Sequence, residues 1–206
     1  MISQSNFGGI PEEFTGYENS KIVIVPVPYD GTSTWMKGAD QGPAKVIEVS
    51  PQIEWYDQEI DFEVYKEGIF TDEALVVPSE PAAMVSAVDK RISFHLKNGK
   101  FPVVLGGEHS VSIGVVKAFH EHFADLTVLQ LDAHSDLRDE YMGSKYNHAC
   151  VMARVSEMCP FTQVGIRSMD ISEKERMDPK RVFWARDIYS KRDWIGLQRV
   201  LSPISW

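Results

Sequence analysis

The segment FPVVLGGEHSVSIGVVKAFHEHF, residues 101–123, contains the pattern that decides the fold. Its first residues form an apolar run of the kind found in strands that are covered on both faces. Two glycines end this run, and apolar side chains then recur at helical spacing up to residue 123. The segment therefore predicts a buried strand, a tight turn and a helix.

The same alternation extends in both directions. Toward the N-terminus, KIVIVPVP (21–28) predicts a strand ended by Pro26 and Pro28, and a short helix starts at Pro43 and runs to Val49. Two short strands are predicted near 67–70 and 74–77. A longer helix follows, with Ser79 as its cap, Pro81 in its first turn and Gly99 just past its end.

Toward the C-terminus the pattern repeats. LTVLQLD (126–132) predicts a strand, residues 133–146 a polar loop, and a helix begins near Asn147. Further strands are predicted at 161–166 and 181–185, separated by a polar helical stretch at 170–178, and a helix closes the chain over 186–201. Strands that alternate with helices predict an α/β fold with a mainly parallel sheet and helices on both of its faces.

Composition bounds the class of protein. The chain has 206 residues, 43% of them hydrophobic, which predicts one domain over residues 1–206. Its net charge of -9 argues against binding to nucleic acid or to an anionic membrane and favours a small cationic partner. With two cysteines, no signal peptide and no apolar run of membrane-spanning length, we expect a cytoplasmic protein.

Carboxylates and histidines follow two of the predicted strands, and His109, Asp132, His134 and Asp136 among them are candidate metal ligands. Glu108 and His109 come after the strand at 101–105, while Asp132, His134 and Asp136 come after the strand at 126–131. The carboxyl ends of parallel strands are where ligands collect in such sheets. If the second segment is extended, its three side chains point to one side. Carboxylates with imidazoles suit manganese, zinc or iron. The alternative is that the aspartates cap the next element and the histidines are solvated.

These motifs carry a resemblance to a known family. GGEHS (106–110), DAHSDLRD (132–139) and YNHACVMARV (146–155) resemble successive signatures of the ureohydrolase family, which includes arginase and agmatinase. The early segment PVPYDGTSTWMKGADQGPAKVIE (26–48) is similar to the agmatinase branch. The resemblance implies a three-layer α/β/α fold of the arginase/deacetylase type. It also implies hydrolysis of a guanidino group, with agmatine giving putrescine and urea, as in polyamine biosynthesis, and a homo-oligomer.

The resemblance also implies roles for individual residues. His109 corresponds to a ligand of the first of two manganese ions, Asp132 to a carboxylate that bridges both, His134 to a ligand of the second, and Asp136 to a further ligand of the first. Asp136 is also expected to hold the attacking hydroxide, and His148 to deliver a proton. The other reading of His148 is a surface histidine that caps the following helix.

The pattern departs from the family after residue 150. The family completes its metal pair with a later Asp-x-Asp, which these 206 residues do not contain, and the final segment GLQRVLSPISW resembles a tail left by truncation or a frame change. We therefore expect a fold that lacks C-terminal strands and holds two manganese ions or one. Two alternatives to the agmatinase hypothesis remain: a truncated, non-catalytic remnant that binds at most one metal, and another amidinohydrolase of the arginase or guanidinobutyrase type.

Several other residues admit more than one reading. Trp35 either lines a substrate pocket or packs at an edge, and Lys37, Arg138 and Lys145 are the loop cations that could bind a substrate carboxylate. Cys150 is predicted to be a buried, inert thiol rather than a nucleophile. The HEH sequence at 120–122 predicts surface histidines, since two residues of spacing on a helix make the side chains diverge.

Overall fold

The computed structural model describes residues 6–191 and divides into two compact units, Met1–His122 and Phe123–Trp206. Each unit has a three-stranded sheet of its own. All strand pairs in these two sheets are parallel, as the alternating sequence pattern predicts. The single domain over 1–206 stays a prediction. Within the described residues, no helix combines the length and apolar character needed to cross a membrane.

The first unit is built around its central strand. The sheet has the order β4-β1-β5, with β1 at Ile22–Val27, β4 at Ile69–Thr71 and β5 at Phe101–Gly106. The helices are α1 (Gly42–Val49), α2 (Pro81–Lys97) and α3 (Val111–His122), and β2 (Tyr56–Asp57) forms a small antiparallel hairpin with β3 (Phe62–Glu63). β1 is covered on both faces: Val23, Val25 and Val27 are fully buried on one face, and Ile24 is 3% exposed on the other.

Pro26 lies inside β1 rather than at its end, which corrects the sequence prediction. A proline has no N–H and therefore removes one hydrogen bond from the sheet. The edge of the strand that this N–H would face must lack a regularly paired neighbour. Regular pairing with β4 stops at Ile24, beyond which Leu75 N donates to Pro26 O at 2.9 Å. The predicted strand at 74–77 does not form. Those residues instead run as irregular chain along the same edge of β1.

The start of α2 also differs from its prediction in one residue. Glu80, not Ser79, is the cap, and its carboxylate accepts from Ala82 N at 3.0 Å and Ala83 N at 2.6 Å. Pro81 occupies the first helical position, where a missing N–H costs nothing. Gly99, with φ of +69°, lies just past the helix end as predicted.

The second unit repeats the strand–helix alternation with shorter elements. Its sheet has the order β6-β7-β8, with β6 at Val128–Leu131, β7 at Phe161–Ile166 and β8 at Val182–Trp184. Helix α4 spans Val151–Ser156, and a 3-10 helix over Ile171–Arg176 replaces the polar helix predicted at 170–178. Helix α5 is described from Ala185 to Lys191, so most of the predicted closing helix, Trp194 included, lies outside the described residues.

Candidate metal centre

Close backbone contact fixes the point at which the chain leaves β5. Gly107 N donates to Val27 O at 3.0 Å and Glu108 N donates to Tyr29 O at 2.8 Å. A Cβ atom on Gly107 would lie 1.9 Å from Tyr29 O, which no side chain can tolerate. The glycine is therefore required by this close approach. Glu108 and His109 therefore lie directly after the end of β5.

Glu108 has a structural role in the first unit. Its buried carboxylate accepts from Thr32 Oγ1 at 2.9 Å, and from Ser110 Oγ at 2.6 Å and Ser110 N at 2.8 Å. It thereby ties the loop after β1 to the start of α3. Burial, with the Glu108 charge as the second cause, raises the pKa of Tyr29 to about 12. The half-buried His109 follows as the potential metal ligand of this segment.

In the second unit, Asp132 and His134 lie together at the exit of β6. Asp132 N still donates to Val164 O of β7 at 3.0 Å, and His134 forms an isolated parallel bridge with Ser168. Asp132 Oδ1 accepts from His134 N at 2.9 Å and lies 3.6 Å from His134 Nδ1. Two ligands bound to one ion at about 2.0–2.2 Å lie about 3–3.6 Å apart. This spacing suits a shared metal ion.

Asp136 leaves the extended backbone that the sequence argument assumed, while one of its carboxylate oxygens still lies within 4.8 Å of one of Asp132. Its φ of +50° places it in the left-handed region, and its side chain is buried where that of His134 is 64% exposed. The next residue, Leu137, donates its N–H to Glu173 Oε1 at 2.8 Å, and Asp136 O accepts from Met152 N at 2.9 Å. These bonds hold a conformation that costs a non-glycine residue about 1–3 kcal/mol.

His148 lies at the start of the helical segment that leads into α4. The cap of that segment is Asn147, whose Oδ1 accepts from Ala149 N at 3.0 Å. This removes the reading of His148 as the capping residue. The half-buried imidazole instead meets the Tyr141 ring edge to face, with 6.0 Å between ring centroids.

The three loop cations each have an acidic neighbour. Lys37 Nζ lies 3.6 Å from Asp30 Oδ1 in the first unit. In the second unit, Arg138 lies 3.3 Å from Asp170, and Lys145 lies 3.4 Å from Asp139. Lys37 and Arg138 are thus each paired with one aspartate, whereas Lys145 shares Asp139 with Arg154 and Arg176.

The remaining candidates separate clearly by exposure. Trp35 is 92% exposed, so it does not pack at an edge, while the assignment to a substrate pocket stays a prediction. Cys150 is fully buried, and burial raises the pKa of its thiol to about 11, as expected of an inert cysteine. His120 and His122 are both exposed, which confirms the reading of the HEH sequence.

Two buried glutamines lie close to the candidate ligands Asp132 and His134, and neither was predicted from the sequence. Gln130 is 6% exposed in β6, and Gln163 is fully buried in β7. Each is an amide side chain inside a mostly apolar strand run. A buried amide in such a run needs a hydrogen-bonding partner, and that was the signal available in the sequence.

The observations now define a class: α/β proteins with parallel sheets that place carboxylates and an imidazole at the carboxyl end of a strand. The chain belongs to the arginase family, because the model of that family matches residues 20–204.

Curated relatives agree with this assignment. A protein of Synechocystis named N(1)-aminopropylagmatine ureohydrolase is 38% identical over 95% of the chain, which spans 69% of that relative. A protein of the same name from Thermus thermophilus is 35% identical over 77% of the chain and is matched over 55% of its own length. An agmatinase of Bacillus anthracis is 32% identical, with 84% of the chain and 58% of the relative covered.

Solved structures confirm the fold class. The agmatine ureohydrolase of Thermoplasma volcanium is 27% identical, with a TM-score of 0.83 over 99% of this chain and 68% of that one. Proclavaminate amidino hydrolase of Streptomyces clavuligerus, at 22% identity and a TM-score of 0.80, shares the fold over 91% of this chain and 66% of its own.

Proposed function

We propose that the chain acts as an agmatinase-type ureohydrolase, which hydrolyses a cationic guanidino compound to an amine and urea. The observation that carries the proposal is the 3.6 Å separation of Asp132 Oδ1 and His134 Nδ1 at the exit of β6. This pair occurs in a chain of the arginase family whose relatives are named for such reactions.

The donor set fits a divalent ion of intermediate hardness. Asp132 and His134 offer a carboxylate oxygen and a ring nitrogen within one coordination shell. We propose that His109 and Asp136 complete the site, that the ion is manganese, and that each chain holds two ions or one. When bound, such ions lower the pKa of water and so supply a nucleophile at neutral pH.

The protein's own residues would then orient the water and move protons. Asp136, with its carboxyl group on a fixed left-handed residue, is proposed to orient the attacking water through a hydrogen bond. The departing amine needs a proton, and His148 is proposed to donate it. Its ring is held against Tyr141 rather than used as a helix cap. Imidazole is the side chain best suited to exchange protons near neutral pH.

The charge pattern favours a substrate without a carboxylate. A substrate such as arginine would bring a carboxylate that needs a cationic partner. Lys37, Arg138 and Lys145 each already lie within 4 Å of an aspartate. Together with the net charge of -9, this supports agmatine or its aminopropyl derivative over an amino acid. A cytoplasmic location and a homo-oligomeric state stay predictions.

Urea release from the purified, manganese-loaded chain tests the proposal. Agmatine, N(1)-aminopropylagmatine and arginine would be compared at equal concentration. We expect urea from at least one of the first two compounds, a much lower rate with arginine, and loss of activity in Asp132→Asn. Manganese binding without urea from any of the three would contradict the proposal and favour a non-catalytic metal-binding chain. Preference for arginine would favour the arginase-type alternative.

A further inference from the structure

The two buried glutamines face each other across the second sheet. Gln130 of β6 and Gln163 of β7 are direct partners in the parallel register. On one side of them Leu131 pairs with Val164, and on the other Leu129 pairs with Thr162, followed by Val128 with Phe161. A pair of buried amides in a mostly apolar ladder calls for a reason beyond packing.

The acceptors around the two amides fix the orientation of both groups. Gln163 Nε2 donates to Gln130 Oε1 at 2.6 Å and to Ser135 O at 2.8 Å. Gln130 Nε2 in turn donates to Asp132 Oδ2 at 3.3 Å and to His134 O at 3.2 Å. All four acceptors are oxygens. Rotating either amide by 180° would therefore set oxygen against oxygen.

This chain of amides ends on the candidate metal ligands. Asp132 receives Gln130 at Oδ2 and the N–H of His134 at Oδ1, so each oxygen of its carboxylate has a donor. The carbonyls of His134 and Ser135 are held by the same two amides. The segment from Asp132 to Ser135 is thus anchored from β6 and β7 at three oxygens.

The two buried amides lower the stability of the fold compared with an apolar pair. Within the described residues, Gln163 Oε1 is buried without a hydrogen-bonding partner. An unsatisfied buried acceptor costs about 1–3 kcal/mol, and an apolar pair of the same size would avoid this cost. The amides are therefore better explained by the direction they give to the segment.

We propose that Gln130 and Gln163 are positioning residues that orient the Asp132 carboxylate and the His134–Ser135 backbone for metal binding. This inference rests on the proposed function and deepens its metal site. Groups that hydrogen-bond to metal ligands set the orientation of those ligands, and their loss typically lowers metal affinity about 10–100-fold.

Manganese titration of three variants tests the inference. Gln130→Met and Gln163→Met keep side-chain volume but remove the amide donors. Thr162→Val is the matched control, since Thr162 is a buried polar residue on the same strand as Gln163. The manganese dissociation constant would be measured from the electron paramagnetic resonance signal of the free ion, and the melting temperature Tm from thermal unfolding.

We expect the dissociation constant to rise about tenfold or more in Gln130→Met and to rise also in Gln163→Met. Thr162→Val should bind manganese as the parent chain does, whatever its Tm. Parent-like affinity in folded Gln130→Met would overturn the inference and leave the proposed function intact. Absence of manganese binding by the parent chain would overturn both.

A measurement on the unaltered chain covers the case in which the variants do not fold. The Gln130 side-chain amide should give slowly exchanging proton resonances without metal, and these should shift when diamagnetic Zn²⁺ is added. Fast exchange with solvent, or resonances unmoved by saturating zinc, would contradict the positioning role.

Discussion

At the scale of single residues, the types of side chain near the site were predictable from the sequence. The backbone conformation and the hydrogen-bonding partners of each residue were not. The chemistry and spacing of Asp132, His134 and Asp136 predict metal ligands, and that role stays a prediction. The left-handed φ of Asp136 was not predictable from the sequence. It depends on Glu173, which lies 37 residues further along the chain and accepts a hydrogen bond from Leu137 N. Glu108 belongs to the same polar cluster as His109, and the contacts of its carboxylate with Thr32 and Ser110 were not predictable from its type. Residues distant in sequence thus determine both the backbone conformation of Asp136 and the contacts of Glu108.

Asp72 gives a pH-dependent prediction at this scale. Burial raises the pKa of Asp72, but hydrogen bonds from His95 Nε2 at 2.9 Å and Arg91 at 2.6 Å outweigh it and hold that pKa below its ordinary value. A lowered folded-state pKa contributes stability above the unfolded value of about 3.9, and this is lost as pH falls through the folded pKa.

We therefore expect Asp72→Asn to lower the free energy of unfolding at pH 7 by about 1–3 kcal/mol. The variant should also lose less stability than the parent chain between about pH 5 and pH 2. Urea unfolding at several pH values checks both statements, with the exposed Asp125→Asn as control. Parallel pH profiles of parent and Asp72→Asn would contradict this account.

At the scale of elements, apolar runs predicted strands within one or two residues. The strand at 161–166 was predicted with the bounds of β7, and that at 101–105 was one residue short of β5. Errors arose where tertiary contacts decide. Pro26 fits inside β1 because β4 has ended beside it, and residues 74–77 bind β1 without regular pairing. No local pattern carries that information.

The packing of α2 on α3 gives a prediction for Gly114. A Cβ atom there would lie 2.5 Å from Val85 O and 2.8 Å from Val88 Cβ. In an exposed helix, alanine is more favourable than glycine by about 1 kcal/mol. In a packed contact, the overlap forced by the added methyl group costs about 1–3 kcal/mol.

Gly114→Ala should consequently lower Tm, because the nearest atom is backbone and the helices must move apart. Gly16→Ala is the matched control, since nothing lies within 4 Å of a Cβ atom at Gly16. Differential scanning calorimetry of both variants decides. An unchanged or higher Tm in Gly114→Ala would show that the two helices can separate without loss of stability.

At the scale of the whole molecule, family membership was accessible from sequence because its motifs are spread along the chain. GGEHS follows β5, DAHSDLRD follows β6, and NHAC precedes α4, so each marks the exit of one element or the start of another. The buried Gln130–Gln163 pair was not accessible in the same way. Its meaning depends on the register between β6 and β7, which the sequence of either strand alone does not specify.

We propose that His109 and Asp132 bind manganese in this chain, and the manganese bound per chain at equilibrium tests this. Parent, His109→Ala and Asp132→Ala would be compared with His120→Ala, an exposed histidine of α3. We predict one or two ions in the parent and in His120→Ala, and at least a tenfold loss of affinity in the other two variants. Unchanged affinity in both His109→Ala and Asp132→Ala would contradict the account.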